Sequence, residues 1–264
     1  MRPMTRRTEI VRIVEAEGQA TVEDLARLLD ASRETIRRDL ALMDREGLIR
    51  KYHGGARVRD GAALPEPVGE DRFAARMAEN IRGKRAIGKY AAGLFREGDV
   101  LFIDTGTTTV IFAEFLARLR GLKIITNSLK IAEIMGAANA GHQVFMVGGD
   151  YDPDASETLG ALALQQIGHM HADHVVLTVG GIHEEGIRDF DLREAEIARA
   201  MISNARRVTV LADSSKFQRA GIFDVAPMSR IDRIVTDVAP SPGMMKAFEE
   251  GQTSVIVAEN NPHK

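Results

Sequence analysis

Over the first 59 positions, apolar residues recur three times at helical spacing and then alternate. Ile10, Ile13 and Val14 share one side of a helix that runs from about Thr5 to Glu17 and stops at Gly18. Thr21 heads the run VEDLARLL with Asp24 three positions on. This is a capping box with Asp in place of Glu, and it opens a short second helix with Val22, Leu25 and Leu28 inward. After a turn at Leu29 to Ala31, Ser32 suits the N-cap of a third helix, RETIRRDLALMDREG, whose buried stripe is Ile36, Leu40 and Met43. Beyond Gly47, LIRKYHGGARV predicts two short strands around His53-Gly54-Gly55, since paired glycines accept the positive φ angles of tight hairpins. Three helices and a hairpin make a winged helix-turn-helix over residues 1–59.

The next stretch, DGAALPEPVGE, holds Pro65 and Pro67 and has no periodicity, which predicts a linker over 60–72. From Asn80 onward, helical patterns such as KRAIGKYAAGLF alternate with short apolar runs: VLFID, LKIIT, HQVFMVGG, HVVLTVGG, RRVTVLAD, IDRIVTD and TSVIVAE. That alternation predicts βαβ units and a Rossmann-like, open, largely parallel sheet flanked by helices over 73–264. The chain as a whole is of the α/β class.

Composition narrows the choices. The chain has no cysteine, which excludes disulfides, thiolate nucleophiles and cysteine-based zinc sites and suits a cytoplasmic protein. The N-terminal stretch has no uninterrupted apolar run of signal-peptide or membrane-span length, so no membrane partner is expected. The net charge of −3 conceals a split. Residues 1–59 hold 13 Lys and Arg against 10 Asp and Glu, leaving 22 against 28 for the rest. A basic N-terminal part points to an anionic partner.

Double-stranded DNA fits that partner. A recognition helix enters the major groove with its N-terminal residues toward the base edges, and the third helix offers Ser32, Arg33, Glu34, Thr35, Arg37 and Arg38 there. Arg33 and Arg37 are four apart and share a face, so one can fork onto a guanine while the other holds phosphate. Arg50, Lys51, His53, Arg57 and Arg59 on the wing add backbone contacts. The competing reading makes Arg37, Arg38, Asp39 and Asp44 an ordinary solvated surface; the succession of short helix, turn, Arg-rich helix and basic hairpin favours DNA.

These residues also carry a resemblance. TVEDLARLLDASRETIRRDLALMDREGLIRKYHGGARV resembles the N-terminal domain of the DeoR family of bacterial repressors, marked by a T-[IV]-R-R-D-L helix and a Y-H-G-G wing. It adds Thr21, Tyr52, Gly54 and Gly55 to the expected DNA-binding set.

In the second part, strand VLFID ends at Asp104 and leads through Thr105-Gly106-Thr107-Thr108-Thr109 into a helix. This placement suits anion capture by helix-terminal N–H groups and hydroxyls, although a plain helix cap is the alternative. Asn127-Ser128 follows LKIIT, and Asp213-Ser214-Ser215-Lys216 follows RRVTVLA in the same manner. In open parallel sheets ligands sit at the carboxyl ends of strands, so these loops can share one crevice. The DeoR resemblance extends here through N-I-R-G-K-R-A-I-G, I-D-T-G-T-T-T, I-T-N-S, V-G-G-D and L-A-D-S-S-K-F, covering Met4 to about Asp237. It implies a fold shared with ribose-5-phosphate isomerase and glucosamine-6-phosphate deaminase, and a phosphorylated sugar or polyol effector that releases the protein from its operator. The implied effector set is Lys84, Asp104, Thr105, Gly106, Thr107, Thr108, Asn127, Ser128, Gly180, Gly181 and Lys216.

Enzyme activity is the rival reading. The related isomerases carry an Asp-Gly-Ala-Asp-Glu run where this chain reads Gly180-Gly181-Ile182-His183-Glu184, so the leading acids are missing. Glu184, Glu185, Asp189, Asp191 and Glu194 stand near enough in sequence to supply a carboxylate, with no one of them singled out. His169 and His171 would share a strand face with His174 pointing away, which favours polar residues leading into a buried strand over a metal site. Arg188 and Arg193 suit either an anion clamp or the surface. No catalytic residue, cofactor or metal is expected. The reading is a repressor of a sugar or polyol catabolic operon acting as a homo-oligomer, dimer or tetramer, with an activator or a DNA-tethered isomerase as alternatives.

Overall fold

The computed structural model describes residues 6–7, 9–11, 13–14, 19–45, 49–52, 55–57 and 73–258. The chain divides into two compact units, Met1–Glu66 and Pro67–Lys264. The expected linker at 60–72 lies outside the described residues, as do His53, Gly54 and Arg59 of the expected wing.

In the first unit the described residues between 6 and 14 are helical, followed by α1 (Val22–Leu28) and α2 (Arg33–Arg45). Thr21 caps α1: its Oγ1 accepts from the Asp24 N–H at 3.1 Å and donates to the Asp24 carboxylate at 2.7 Å. The wing pairs β2 (Arg50–Tyr52) with β3 (Gly55–Arg57), Lys51 opposite Ala56 and Tyr52 opposite Gly55. A third strand, β1 (Gln19–Thr21), joins the far side of β3, an addition to the two-stranded hairpin expected. The core gathers Ile10, Val14, Leu25, Leu29, Ile36, Leu40, Met43 and Ile49. Leu28, expected inward, is 57% exposed while Leu29 is buried. The helix ends at Leu28, and the following residue leaves the helical phase and turns into the core.

The second unit is built on a seven-stranded sheet in the order β15-β14-β12-β9-β4-β5-β6, every registered pair parallel. Its strands are β4 (Val100–Ile103), β5 (Lys123–Thr126), β6 (Gln143–Met146), β9 (Ala172–Leu177), β12 (Ala205–Leu211), β14 (Arg233–Thr236) and β15 (Ser254–Val257), the seven apolar runs of the sequence. Side chains alternate between faces. Phe102, Val175, Leu177 and Val210 pack with α7 (Ala161–Ile167), α8 (Leu192–Ser203) and α9 (Pro242–Glu250). Leu101, Ile103, Val176, Leu211 and Val235 pack with α3 (Phe73–Ala78), α4 (Ile81–Ala92), α5 (Thr107–Leu116) and α6 (Leu129–Gly136). Burial on both faces is why the inner strands read as continuous apolar runs, while the edge strands β6 and β15 stay partly exposed.

Two smaller antiparallel pieces were not legible as strands: the hairpin β7 (Asp150–Asp152) with β8 (Glu157–Leu159), and a ribbon of β10 (Gly181–Ile182), β11 (Gly186–Asp189) and β13 (Phe223–Pro227). The order of the main sheet is what positions a site. After β4 the chain adds β5 and β6 on one side, then crosses to place β9 and the later strands on the other. The loops leaving β4 and β9 therefore diverge, which opens a crevice at their carboxyl ends.

Candidate functional site

On the first unit, α2 presents Ser32, Arg33, Glu34, Arg37 and Arg38 to solvent, with Thr35 half-buried. Ser32 starts the helix: its Oγ accepts from the Thr35 N–H at 3.2 Å and lies 2.8 Å from the Thr35 hydroxyl. Two of the arginines are held by acids. Arg33 Nη2 lies 3.0 Å from Glu23 on α1, and Arg38 Nε donates to Glu34 at 3.3 Å one helical turn away. Exposed pairs of this kind contribute little stability and exchange readily for a phosphate. Asp39 is not part of a solvated face. It is 4% exposed and accepts from Arg6 Nε at 2.6 Å and Arg7 Nε at 3.0 Å, tying α2 to the N-terminal helical residues.

On the second unit, a small polar cleft opens where the β4 and β9 loops part. It is lined by Arg76, Asp104, Thr105, Asn127, Glu157, Thr178, Val179, Gly180, Asp189, Glu194 and Ile197. Asp104, Thr105, Asn127 and Gly180 come from the expected set. Asp104, at the end of β4, accepts the Thr178 N–H with both oxygens at 3.1 and 3.2 Å, bridging β4 to β9. Burial pushes its carboxyl well above the usual carboxylate range, against the Thr178 hydrogen bond, and Asp189, Glu157 and Glu194 add to the rise.

Gly106 closes the same junction. A Cβ there would stand 2.0 Å from the Thr178 hydroxyl oxygen, so its glycine is required by the approach of the β9 loop. Thr107, Thr108 and Thr109 form the first turn of α5 and are all buried, with the Thr109 hydroxyl donating to the Gly106 carbonyl at 3.1 Å. No side chain caps α5, as none caps α4 or α7, whereas Thr21, Ser128, Asp191 and Ser241 cap α1, α6, α8 and α9. The first-turn N–H groups of α5 thus have no side-chain acceptor, the condition for an anion seat.

The other expected residues sit around this crevice in different roles. Ser128 is committed as the cap of α6, accepting from the Ile131 N–H at 3.5 Å. Gly181 belongs to the ribbon, pressed against the Arg219 carbonyl. Lys84 is 3% exposed on α4 and donates to the Arg76 carbonyl. Desolvation lowers its pKa, Asp213 opposes that, and Lys216 adds to the lowering, which puts Lys84, Asp213 and Lys216 in one electrostatic neighbourhood. Arg188 bridges Asp224 and Glu185, and Arg193 holds Asp191 and Asp152, so both are occupied by carboxylates. His174 packs edge-on against Phe95 at 5.2 Å, and no group among the described residues could hold a metal ion.

The largest surprise is Glu157. The β7–β8 hairpin lies across the end of β5 through Thr158 N–H to Asn127 O at 2.9 Å and Leu129 N–H to Ser156 O at 2.9 Å. This delivers a 2% exposed Glu157 into the cleft, where it accepts from Asn127 Nδ2 at 3.0 Å. Burial raises its pKa to about 7; the Thr105 hydroxyl, Asn127 and Glu194 moderate the rise and Asp152 adds to it. The sequence signal is faint: a Gly-Gly-Asp turn, then two three-residue strands centred on Tyr151 and Thr158, with two acids on the first and one on the second.

Comparison with known proteins follows this division. The DeoR-like helix-turn-helix domain matches residues 6–61, and the DeoR C terminal sensor domain matches residues 79–238. Similar proteins include the HTH-type transcriptional repressor CsqR of Escherichia coli (strain K12), 29% identical over 97% of this chain and 96% of that protein. The glycerol-3-phosphate regulon repressor of Haemophilus influenzae is 30% identical over 97% of this chain and 98% of its own length. The HTH-type transcriptional repressor GlcR of Bacillus subtilis is 27% identical over 98% of both. Among solved structures, eIF2B beta from Chaetomium thermophilum gives a TM-score of 0.46 at 15% identity over 65% of this chain and 54% of that one. Ribose 5 phosphate isomerase A from Neisseria gonorrhoeae gives 0.36 at 18% over 51% and 52%. With both domain matches in order and full-length relatives among transcriptional repressors, the chain belongs to the DeoR family of DNA-binding transcriptional regulators.

Proposed function

We propose that the first unit binds a double-stranded operator through α2 and the wing, and that a phosphorylated sugar or polyol bound at the carboxyl edge of the main sheet releases it. The carrying observation is the cleft at the β4–β9 divergence: polar groups line it, and an uncapped, buried α5 N-terminus follows the same loop. The phosphate seats on the Thr105–Gly106 loop and the first turn of α5 at Thr107 and Thr108, with Lys84 and Lys216 supplying positive charge. The names of the glycerol-3-phosphate repressors, which share about 30% of their residues with this chain, point to the same ligand class. A homo-oligomer places two recognition helices on operator half-sites, since one winged helix makes few base contacts. The test is a thermal-shift screen of sugar and polyol phosphates against their unphosphorylated parents, repeated with Thr107→Val and Lys216→Ala. A ligand bound only to the native state at about a hundred times its Kd stabilises by about 2.7 kcal/mol. A shift from one phosphate, absent from its parent and lost in both variants, supports the site; silence across the panel refutes it.

One observation favours a second reading. Glu157, with a pKa near 7, is poised where a general base for aldose–ketose isomerisation would be useful. Turnover of ribose 5-phosphate or fructose 6-phosphate by the purified chain, lost in Glu157→Gln, would establish that reading in place of pure sensing.

A further inference from the structure

Asn127 is 1% exposed, lines the cleft, and spends both hydrogens of its Nδ2, on Glu157 at 3.0 Å and on the Thr158 carbonyl at 3.2 Å. Its Oδ1, equally buried, has no partner. A buried acceptor without a donor is costly, and its natural complement is a ligand hydrogen. Beside it, the Glu157 and Glu194 carboxyls line the same cleft, Glu157 accepting from Asn127 Nδ2. Asp104 and Asp189 complete an acceptor-rich wall, and Arg76 is the cation on the lining. Such a wall repels a phosphate and attracts hydroxyls. Asp152, held by Arg193, faces Glu157 from the hairpin, and Thr105 faces it from the β4 loop.

We propose that Asn127, Glu157 and Glu194 form the specificity subsite for the effector's unphosphorylated end, accepting hydrogen bonds from its hydroxyls while the phosphate lies apart on α5. This deepens the sensing reading above and rests on it. Two consequences are built in. The subsite selects among phosphorylated compounds by the position of their hydroxyls, and inorganic phosphate bypasses it. Glu157→Gln keeps the shape and keeps an oxygen for Asn127. It replaces the carboxylate by an amide, so position 157 no longer offers a charged acceptor to a ligand hydroxyl. Glu194→Gln does the same from α8.

The experiment is calorimetric titration of the full chain, wild type, Glu157→Gln and Glu194→Gln. The probes are glycerol 3-phosphate, fructose 6-phosphate and tagatose 6-phosphate, with inorganic phosphate as the truncated probe. The expected result is that the tightest organic phosphate loses about ten-fold or more in affinity in both variants, the size of a lost hydrogen bond to a charged group. Inorganic phosphate keeps its wild-type Kd in both, which shows that the variants are folded and the phosphate seat intact. Organic phosphate affinity unchanged in both variants overturns the subsite and leaves the sensing reading standing. A wild-type chain that binds inorganic phosphate but none of the organic phosphates more tightly also overturns it. A wild-type chain that binds none of the four probes overturns both.

Discussion

Gly106→Ala tests the junction on which the cleft depends. The backbone there is extended, with φ at 179°, so an alanine meets no conformational penalty and its whole cost is steric. The new Cβ would lie 2.0 Å from Thr178 Oγ1 and 3.1 Å from both Thr178 Cβ and Cγ2. Relief requires the Thr178 side chain to leave its rotamer and its Cβ to give way, against the Asp104 carboxyl that holds the β4 and β9 loops together through the Thr178 N–H. Overpacking of this kind costs about 1–3 kcal/mol. For a domain of this size that lowers Tm by roughly 2–4 °C per kcal/mol. Differential scanning calorimetry of the full chain should therefore show the sensor-unit transition moved down by several degrees, with the DNA-binding unit's transition unmoved. Thr178→Ala in the same chain removes the hydroxyl and the methyl and should restore most of the loss, giving a coupling near the size of the single-variant effect. An alanine at 106 that melts with the wild type, or a loss that Thr178→Ala leaves untouched, would refute the described closure.

Three other outcomes follow from the same geometry. Asp39→Ala leaves the Arg6 and Arg7 guanidinium groups facing each other without their shared carboxylate. It should cost the first unit about 3 kcal/mol and abolish operator binding while sparing effector binding, read by calorimetry and fluorescence anisotropy. Glu23→Gln frees Arg33 from its ion pair and should tighten DNA binding roughly two- to five-fold at low salt, the difference fading as salt rises; a weaker complex would contradict it. Glu157 is protonated more readily folded than unfolded, because its pKa rises from 4.5 to about 7. Its favourable contribution is complete below pH 4.5 and is lost as pH rises to about 7, so the sensor unit should weaken across that window. Glu157→Gln should flatten the decline, and a variant with an unchanged pH profile of Tm would refute it.

Much of this architecture could be read from the chain because its signals are local. Each of the seven sheet strands is a short apolar run, and Thr21, Ser32 and the α2 stripe sit where capping and 3.6-residue spacing place them. What escaped depends on contacts between distant segments. The cleft carboxylates come from positions 104, 157, 189 and 194, on four separate elements, and nothing local says that they meet. Glu157 sits on a three-residue strand too short to register as a period of two. Asp39 looks like any charged helix residue until Arg6 and Arg7 close over it. Gly106 is legible as part of a Gly/Thr loop before a helix, but its close approach to Thr178, which lies just after β9 and far along the chain, is not. Leu28 and Leu29 differ only by the residue at which α1 ends.

The central claim is that occupancy of the sensor cleft governs binding of operator DNA. It is tested most directly by the fluorescence anisotropy of a labelled operator fragment, selected from random duplexes on the full chain. The titration is run with and without each sugar and polyol phosphate and its unphosphorylated parent. The account predicts that one phosphorylated compound weakens the complex ten-fold or more while its parent does nothing. DNA affinity that no phosphorylated compound changes, or that the parent changes equally, would contradict it.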